Sequence, residues 1–282
     1  MNSGTLFVVA TPIGNLGDLG ERAREVLKRV DLIAAEDTRR TGQLLAAIGS
    51  SVRTISLHEH NEAGRIDEIL GLLADDRDVA LVSDAGTPLL ADPGYRLVRA
   101  AVEDGYPVRP IPGPSAVTAA LSVAGLATDR FLFAGFLPAK GGPRRERIEA
   151  ASGLSATLVF YEAPHRIAAM LADLAAVLGG ERLAWVGREL TKQYESHRRG
   201  PLGELARLFE AGEEPARGEF VVIVEGVKEA AVRHALDTDA LLTALLDELP
   251  ASKAARVAAK LTGEKRGALY DRALELGDRE ES

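Results

Sequence analysis

The sequence predicts an α/β protein with two α/β domains and a small helical segment at its C-terminus. Short, continuous apolar runs alternate with amphipathic stretches of helical period over most of the chain. The chain has 282 residues, which suits two domains of roughly 100–200 residues each. Strands that are apolar throughout and separated by helices indicate a parallel or mostly parallel sheet that helices cover on both faces.

The first alternation of strands and helices ends at a rigid turn near residue 113. Its predicted elements are, in chain order, a strand at 5–10, a helix at 20–30, a strand at 31–35, a helix at 40–48, a strand at 52–57, a helix at 62–74, a strand at 79–83, a helix at 94–104 and a strand at 107–111. Pro112 and Pro114 flank Gly113 in this turn, and Ser115 is placed to cap the next helix. Residues 1–113 are therefore predicted to form the first domain.

A second alternation predicts the second domain, residues 114–227. Its predicted elements are a strand at 131–135, a Gly/Pro/Arg-rich loop at 138–145, a helix at 146–152, a strand at 156–161, a helix at 165–178, a strand at 183–188, a helix at 202–211 and a strand at 219–225. Residues 226–238 are interpreted as a linker. Residues 239–282 form a helical tail, which Pro250 and Gly263 interrupt.

Composition excludes several classes of protein. The chain has no cysteine, which rules out disulfides, zinc–thiolate sites and a cysteine nucleophile. No apolar stretch approaches the ~18 residues of a membrane span, and the N-terminus does not resemble a signal peptide, so we expect a cytoplasmic protein without a membrane partner. A net charge of −8 disfavours general polyanion binding, although basic residues cluster at 140–147 and 253–272.

Three loops at predicted strand ends are shaped for a ligand. Residues 11–18, 84–88 and 112–116 combine Gly and Pro with few bulky side chains, and ligands of open α/β sheets bind at the carboxyl ends of the strands. The first loop spaces its glycines as G-x-x-G-x-x-G, which differs from the dinucleotide fingerprint, and no P-loop motif occurs. A Rossmann dehydrogenase and a P-loop kinase are therefore disfavoured.

These loops belong to a longer series of motifs. In order, the chain contains the strings VATPIGNLGD, AAEDTRRTGQLL, VSDAGTPLLADPGY, PIPGPSA, FAGFLPAK and FYEAPHRI. They closely resemble the tetrapyrrole-methylase superfamily of S-adenosylmethionine-dependent methyltransferases, and within it the ribosomal RNA small subunit methyltransferase I family. The tail string SKAARVAAKLTGEKRGALYDRAL resembles that family's helical tail.

The resemblance implies that S-adenosylmethionine binds in the cleft between the two domains. The donor pocket that it implies consists of Pro12, Ile13, Gly14, Asp84, Gly86, Thr87, Pro88, Leu90, Ser115, Ala116 and Tyr161. Asp84 is a plausible acceptor for the ammonium or the ribose hydroxyls of the donor; without the family resemblance, a turn cap explains it equally well. His165 and Arg166 either open a helix or contact the donor or the RNA.

The resemblance further implies methylation of the ribose 2′-hydroxyl of a cytidine in 16S ribosomal RNA. A ribose hydroxyl is a weak nucleophile, so a base or a cation at the acceptor would help. Asp37 and Arg39 are the predicted polar pair nearest the hydroxyl, with support from the polar residues Glu36, Asn61, Glu189 and Lys192. No metal is expected, although His58, His60 and Glu62 could in principle bind one.

The expected partner is small-subunit ribosomal RNA or the assembled 30S subunit, and analogy with the superfamily suggests a homodimer. In the tail, Lys253, Arg256 and Lys260 fall on one helix face that could bind phosphates; a structural cap is the alternative. Two other functions stay open: C-methylation of a tetrapyrrole precursor by the same fold, and non-catalytic RNA binding.

Overall fold

The first sheet is parallel throughout. The computed structural model describes residues 3–58, 61–227 and 238–280. The strands of the first sheet are β1 (Leu6–Val9), β2 (Leu32–Ala35), β3 (Thr54–Ser56), β4 (Val79–Val82) and β5 (Val108–Ile111). They lie in the order β3-β2-β4-β1-β5, and every pair is parallel. This order brings the ends of β1, β4 and β5, and the loops that follow them, to the same edge of the sheet.

Helices cover both faces of the first sheet, as the apolar strands predict. They are α1 (Glu21–Arg29), α2 (Thr38–Ile48), α3 (Glu62–Ala74) and α4 (Tyr95–Glu103). Leu27 of α1 and Leu45 of α2 pack in one core cluster, while Leu73 of α3 and Leu97 of α4 pack in another on the opposite face. All four leucines are buried, so apolar contacts hold the sheet rigidly between two helical layers.

The second sheet is mixed, and the expectation of mostly parallel strands is wrong for this half. Its strands are β6 (Phe131–Phe136), β7 (Thr157–Glu162), β8 (Leu183–Arg188), β9 (Ser196–Pro201) and β10 (Phe220–Val224). They lie in the order β6-β7-β10-β8-β9, and only β6 and β7 pair in parallel. A strand covered on both faces is apolar throughout whichever way it runs, so the sequence pattern does not determine direction.

The helices of the second half lie on both faces of its sheet. They are α5 (Ala116–Val123), α6 (Gly141–Glu149), α7 (Ile167–Leu178) and α8 (Leu202–Glu210). Residues of α6, α7 and α8 share one core cluster, while residues of α5 pack on the other face together with Ile13 from the first half. Helix α5 follows β5 directly, so it connects the two halves.

Helix α6 replaces a predicted loop. Residues 138–145 were expected to be irregular and the helix to begin at 146, but the helix begins at Gly141. Arg144 is only 6% exposed, because its Nε lies 2.6 Å from Asp173 Oδ2 on α7, while Arg145 Nε lies 2.6 Å from the other carboxylate oxygen. Arg144 therefore docks α6 on α7 and is unavailable to a polyanion.

The C-terminal tail has three helices with a core of their own. They are α9 (Thr238–Leu246), α10 (Ala251–Thr262) and α11 (Arg266–Glu280). Leu242, Ala255, Ala258 and Leu269 form the centre of this core, and Gly263 ends α10 in the left-handed region with φ 78°. Most of the predicted linker at 226–238 lies outside the described residues. Within the described ranges, no helix is long and apolar enough to cross a membrane.

Candidate active site

A cavity of about 350 Å³ lies between the two sheets. Its size falls in the ~300–1,000 Å³ range typical of small-molecule sites. The first half contributes Ile13, Ala85, Gly86, Thr87, Leu90, Ala91 and Asp92; the second half contributes Ser115 and Ala116 at the start of α5 together with Phe136, Tyr161, Glu162, Ala163, Leu190, Glu219, Phe220 and Val221. Both halves are therefore needed to enclose a ligand.

The loops after β1, β4 and β5 are joined to one another beside the cavity. Thr11 and Gly86 exchange two backbone hydrogen bonds of 2.9 and 3.1 Å, and Gly86 adopts φ 82°, which favours glycine. The Thr87 hydroxyl donates to the carbonyl of Pro114 at 3.1 Å. The three loops predicted from their Gly and Pro content thus form one rigid wall.

The loop after β4 continues into a strained segment. Leu89 and Ala91 adopt φ 73° and 69°, a left-handed conformation that costs a non-glycine residue roughly 1–3 kcal/mol. The residues that follow each of them, Leu90 and Asp92, line the cavity. The strained backbone is thus found where the chain directs these two side chains into the cavity.

Sequence reasoning missed Asp92. This carboxyl is half-buried on the cavity wall. Burial and the negative charge of Glu36 raise the pKa of Asp92 to about 6; a hydrogen bond with Ser83 opposes the rise and the charge of Asp84 adds to it. Asp92 lies within the VSDAGTPLLADPGY string, but its burial and its acidic neighbours arise only when β2 and β4 pair.

Aromatic side chains form part of the opposite wall. The ring of Tyr161 meets Phe133 and Phe136 edge-to-face, with centroid distances of 4.8 and 5.6 Å. Burial and the charge of Asp92 raise the pKa of Tyr161 to about 12, and a hydrogen bond from the backbone of Val117 opposes the rise. Tyr161 therefore stays a neutral hydroxyl between the two halves of the cleft.

A second strained segment follows β8. Glu189 and Thr191 adopt φ 53° and 66°, and Leu190 between them lines the cavity. Lys192 Nζ lies 2.9 Å from both Glu189 Oε1 and Glu219 Oε2. Burial alone would raise the pKa of Glu189, but the hydrogen bonds from Lys192 and from the backbone of Glu219 lower it. We call residues 189–192 with Glu219 the clasp.

The clasp rests on Gly14 of the first half. A Cβ at Gly14 would lie only 2.3 Å from Cγ of Lys192, so the lysine stem fits because this residue has no side chain. Gly14 belongs to the predicted donor pocket; it lies against Lys192 and is not among the residues that line the cavity, and its contact with the donor stays a prediction.

The predicted catalytic pair forms as an ion pair beside the cavity. Asp37 caps α2 through the backbone N–H of Arg39 at 2.8 Å, and Arg39 Nη2 lies 2.8 Å from Asp37 Oδ2. The hydrogen bonds from the side chain and then the backbone of Arg39 lower the pKa of Asp37 to about 2. Neither residue lines the cavity, and so low a pKa makes Asp37 a poor general base.

Glu36 and Asp84 brace the ends of β2 and β4. The Asp37 N–H donates to Asp84 Oδ1 at 3.0 Å, and the Asp84 N–H donates to Glu36 Oε2 at 3.3 Å. The second oxygen of Asp84 lies 3.4 Å from Arg40. Burial raises the pKa of Glu36, although the hydrogen bond from Asp84 opposes it. Asp84 therefore braces two strand ends, which is nearer to the turn-cap interpretation than to a ligand contact.

Two other predicted residues serve the local backbone. Asn61 accepts from the N–H of His58 at 2.8 Å and donates to the carbonyl of Ser56 at 3.0 Å, so its amide is used in the turn before α3. Glu62 is buried and accepts the N–H groups of Arg96 and Leu97. Glu62 thus caps α4 and is not arranged as a metal ligand; His60 lies outside the described residues.

The predicted donor residues divide into two groups. Those that line the cavity are Ile13, Gly86, Thr87, Leu90, Ser115, Ala116 and Tyr161. The others, Pro12, Gly14, Asp84 and Pro88, belong to the same loops without lining it. Ser115 occupies the N-cap position of α5 without a side-chain capping bond. Arg166 lies outside the lining as well, with its Nε 3.0 Å from Oε1 of the buried Glu162.

Comparison with known proteins agrees with this fold and cleft. A family model described as Tetrapyrrole (Corrin/Porphyrin) Methylases matches residues 5–206, and one described as RsmI C-terminal HTH domain matches residues 233–277. The crystal structure of uroporphyrin-III-C-methyltransferase from Thermus thermophilus shares the fold, with a TM-score of 0.55 and 21% identity over 79% of this chain and 94% of that one. Two sheets around a cleft thus define a protein of the tetrapyrrole methylase class.

Full-length relatives narrow the class further. The chain is 51% identical to the ribosomal RNA small subunit methyltransferase I of Mesorhizobium japonicum, over 97% of this chain and 92% of that protein. It is 50% identical to the protein of the same name from Escherichia coli O157:H7, over 97% of this chain and 96% of that protein. The chain therefore belongs to the ribosomal RNA small subunit methyltransferase I family of the tetrapyrrole methylases.

Proposed function

We propose that the protein transfers a methyl group from S-adenosylmethionine to the ribose 2′-hydroxyl of a cytidine in 16S ribosomal RNA. The observation that carries the donor half of this proposal is the cavity between the sheets. Its walls are mostly apolar, and among the described residues its lining contains Asp92, Glu162 and Glu219 but no Lys, Arg or His. Such a lining suits an adenine and a cationic sulfonium, and it does not suit a phosphate group.

The donor is proposed to be held by the cavity-lining residues of both halves. Ile13, Thr87 and Leu90 would contact it from the first half, and Tyr161 and Leu190 from the second. The bound donor supplies an activated methyl group on a good leaving group. The protein then has to align the acceptor and exclude water, and such alignment can supply much of the rate. The two strained segments around Leu90 and Leu190 favour this positioning role.

The acceptor side is proposed to lie at the ends of β2 and β8. Asp37 and Arg39 stand at this edge, with Glu36, Asn61, Glu189 and Lys192 supporting them. Because the pKa of Asp37 is about 2, we assign the pair to binding and orienting the acceptor rather than to removing its proton. Arg39 and Arg40 have side-chain exposures of 89% and 65%, which makes them accessible to RNA phosphates.

The assignment to ribosomal RNA rests on the names of the full-length relatives and on the tail. Lys253, Arg256 and Lys260 are all exposed on α10, so the tail is proposed to bind RNA phosphates. The proposed domains are 1–113 and 114–227, followed by the tail at 239–282. A cytoplasmic homodimer is proposed too: Phe131 and Leu132 on the edge strand β6 are 47% and 40% exposed, and a partner could cover them.

Tritium transfer from labelled S-adenosylmethionine tests this function. Free 16S RNA and assembled 30S subunits are offered separately, and the labelled nucleoside is identified after digestion. We expect 2′-O-methylcytidine. Thr87→Trp should fill the cavity and abolish both donor binding and transfer. Label in a tetrapyrrole precursor but in neither RNA would support C-methylation instead, and donor binding without any transfer would support a non-catalytic RNA-binding role.

A further inference from the structure

The acidic residues of the cavity differ in their electrostatic surroundings. The Glu162 side chain is inaccessible and its Oε1 lies 3.0 Å from Arg166 Nε. Glu219 is 72% exposed and lies 2.9 Å from Lys192 Nζ. Each of these two carboxylates thus lies beside a cation of its own, although Oε2 of Glu162 is buried and has no hydrogen-bond partner among the described residues.

Asp92 has no such cation among the described residues. Glu36 at the end of β2 and Asp84 at the end of β4 both face it with negative charge, and the Ser83 hydroxyl bonds to it. From the second half, Tyr161 faces it as a neutral hydroxyl. Arg40, which follows β2, is paired with Asp84 at 3.4 Å.

This arrangement is unfavourable for the protein alone. A half-buried carboxylate in a negative field loses hydration without gaining a cation to balance its charge, and Ala91 before it holds a left-handed backbone with φ 69°. Unfavourable features of this kind cluster where a ligand compensates them. A positive charge in the cavity would compensate this one.

We infer that Asp92 is the specificity-determining residue of the donor pocket, because it faces the donor's positive charge and favours the sulfonium over the uncharged thioether product. This inference rests on the proposed function. In the transfer, the methyl C–S bond breaks and its electron pair stays on sulfur, while the methyl carbon bonds to the acceptor oxygen and the hydroxyl proton passes to solvent. The ligand loses one positive charge, so Asp92 loses its partner and the product is released more readily.

Calorimetry with three probes tests this inference: S-adenosylmethionine, S-adenosylhomocysteine, and sinefungin, which carries an amine in place of the methyl sulfonium. We expect the wild type at pH 7.5 to bind both cationic probes at least tenfold more tightly than the thioether. Asp92→Asn should reduce that preference at least fivefold and leave thioether affinity nearly unchanged. Asp67→Asn on the exposed face of α3 removes the same charge at a residue outside the lining and should leave the preference intact.

The wild-type pH profile gives a second measurement that needs no variant. The preference for sinefungin should fall between pH 7.5 and pH 5, as Asp92 becomes protonated. A preference that does not change with pH would overturn the inference, even if Asp92→Asn failed to fold.

The remaining outcomes also decide the question. Equal losses for all three probes in Asp92→Asn would mean that Asp92 binds a group common to donor and product, and unchanged affinities would remove it from the pocket; both overturn the inference. Wild-type protein that binds none of the probes would instead refute the proposed donor, which is a distinct result.

Discussion

Replacing Gly14 with Ala should open the clasp. The new Cβ would lie 2.3, 2.7 and 2.9 Å from Cγ, Cε and Cδ of Lys192, distances that require the lysine stem to move. Its ammonium would then leave Glu189 and Glu219, each now 2.9 Å away. Leu190, which the clasp holds against the cavity, would lose its fixed position.

The size of the effect follows from the two ion pairs. A hydrogen bond between charged groups contributes about 1.5–3 kcal/mol when shielded, and exposure reduces this. Lys192 and Glu189 are 25% and 18% exposed while Glu219 is 72% exposed, so the first pair contributes most. A loss of about 1–2 kcal/mol of clasp stability corresponds to a roughly 5- to 30-fold weaker donor affinity.

Titration calorimetry and initial rates measure this effect. We expect the donor KM to rise by about tenfold and kcat to fall by less, because the clasp fixes Leu190, which is proposed to contact the donor. Lys192→Met keeps the stem over Gly14 and removes the charge, so it should reproduce most of the loss. Gly20→Ala is the matched control, since no atom lies within 4 Å of a Cβ there. Equal behaviour of the Gly14 and Gly20 variants would refute the reasoning.

Three further predictions concern the acceptor edge, the tail and the cleft charge. Asp37→Asn should lower turnover with donor affinity nearly intact; turnover within about twofold, ~0.4 kcal/mol in barrier, would remove Asp37 from the acceptor site. Replacing Lys253, Arg256 and Lys260 with Ala should reduce the log–log salt slope of RNA binding by ~0.7–0.9 per lost contact, and an unchanged slope would make the tail structural. The pKa of Asp92 rises on folding to about 6, so its ionised carboxyl destabilises the folded state, an effect absent below pH ~4 and complete above pH ~6. Asp92→Asn should therefore stabilise the ligand-free protein by about 1 kcal/mol at pH 7.5 and not at pH 4. Thermal melts at both pH values measure this difference.

Strands could be predicted wherever burial makes them apolar. β1, β2, β4 and β10 are buried along nearly their whole length, and all four follow from the sequence. β9 does not, because Ser196–Pro201 reads SHRRGP and lies at the sheet edge, with solvent on its polar side chains. β9 is a strand because it pairs with β8, and the local sequence does not show this tertiary contact.

The candidate site was predictable to the extent that backbone shape defines it. Gly and Pro marked the loops that contain Gly86 and Ser115, because close approach and rigid turns need those residue types. The sequence did not show which charged side chains are paired within the fold. Arg144 belonged to a basic run in the sequence, yet Asp173 pairs with it from another helix. Asp92 gave no local signal, because its acidic neighbours come from other strand ends.

Backbone strain provides the link between the two halves of the cleft. Among the described residues, five non-glycine residues have positive φ: Asp76, Leu89, Ala91, Glu189 and Thr191. Four of them flank a leucine that lines the cavity, Leu90 in the first half and Leu190 in the second. A scaffold selected for stability alone would have little reason to place its strain at both walls of one cavity. The same wall carries the carboxyl of Asp92, which has no cation beside it among the described residues. The strained backbone and the uncompensated charge therefore occur at one site. A cationic ligand bound there would compensate the charge of Asp92 and hold the strained segments in place.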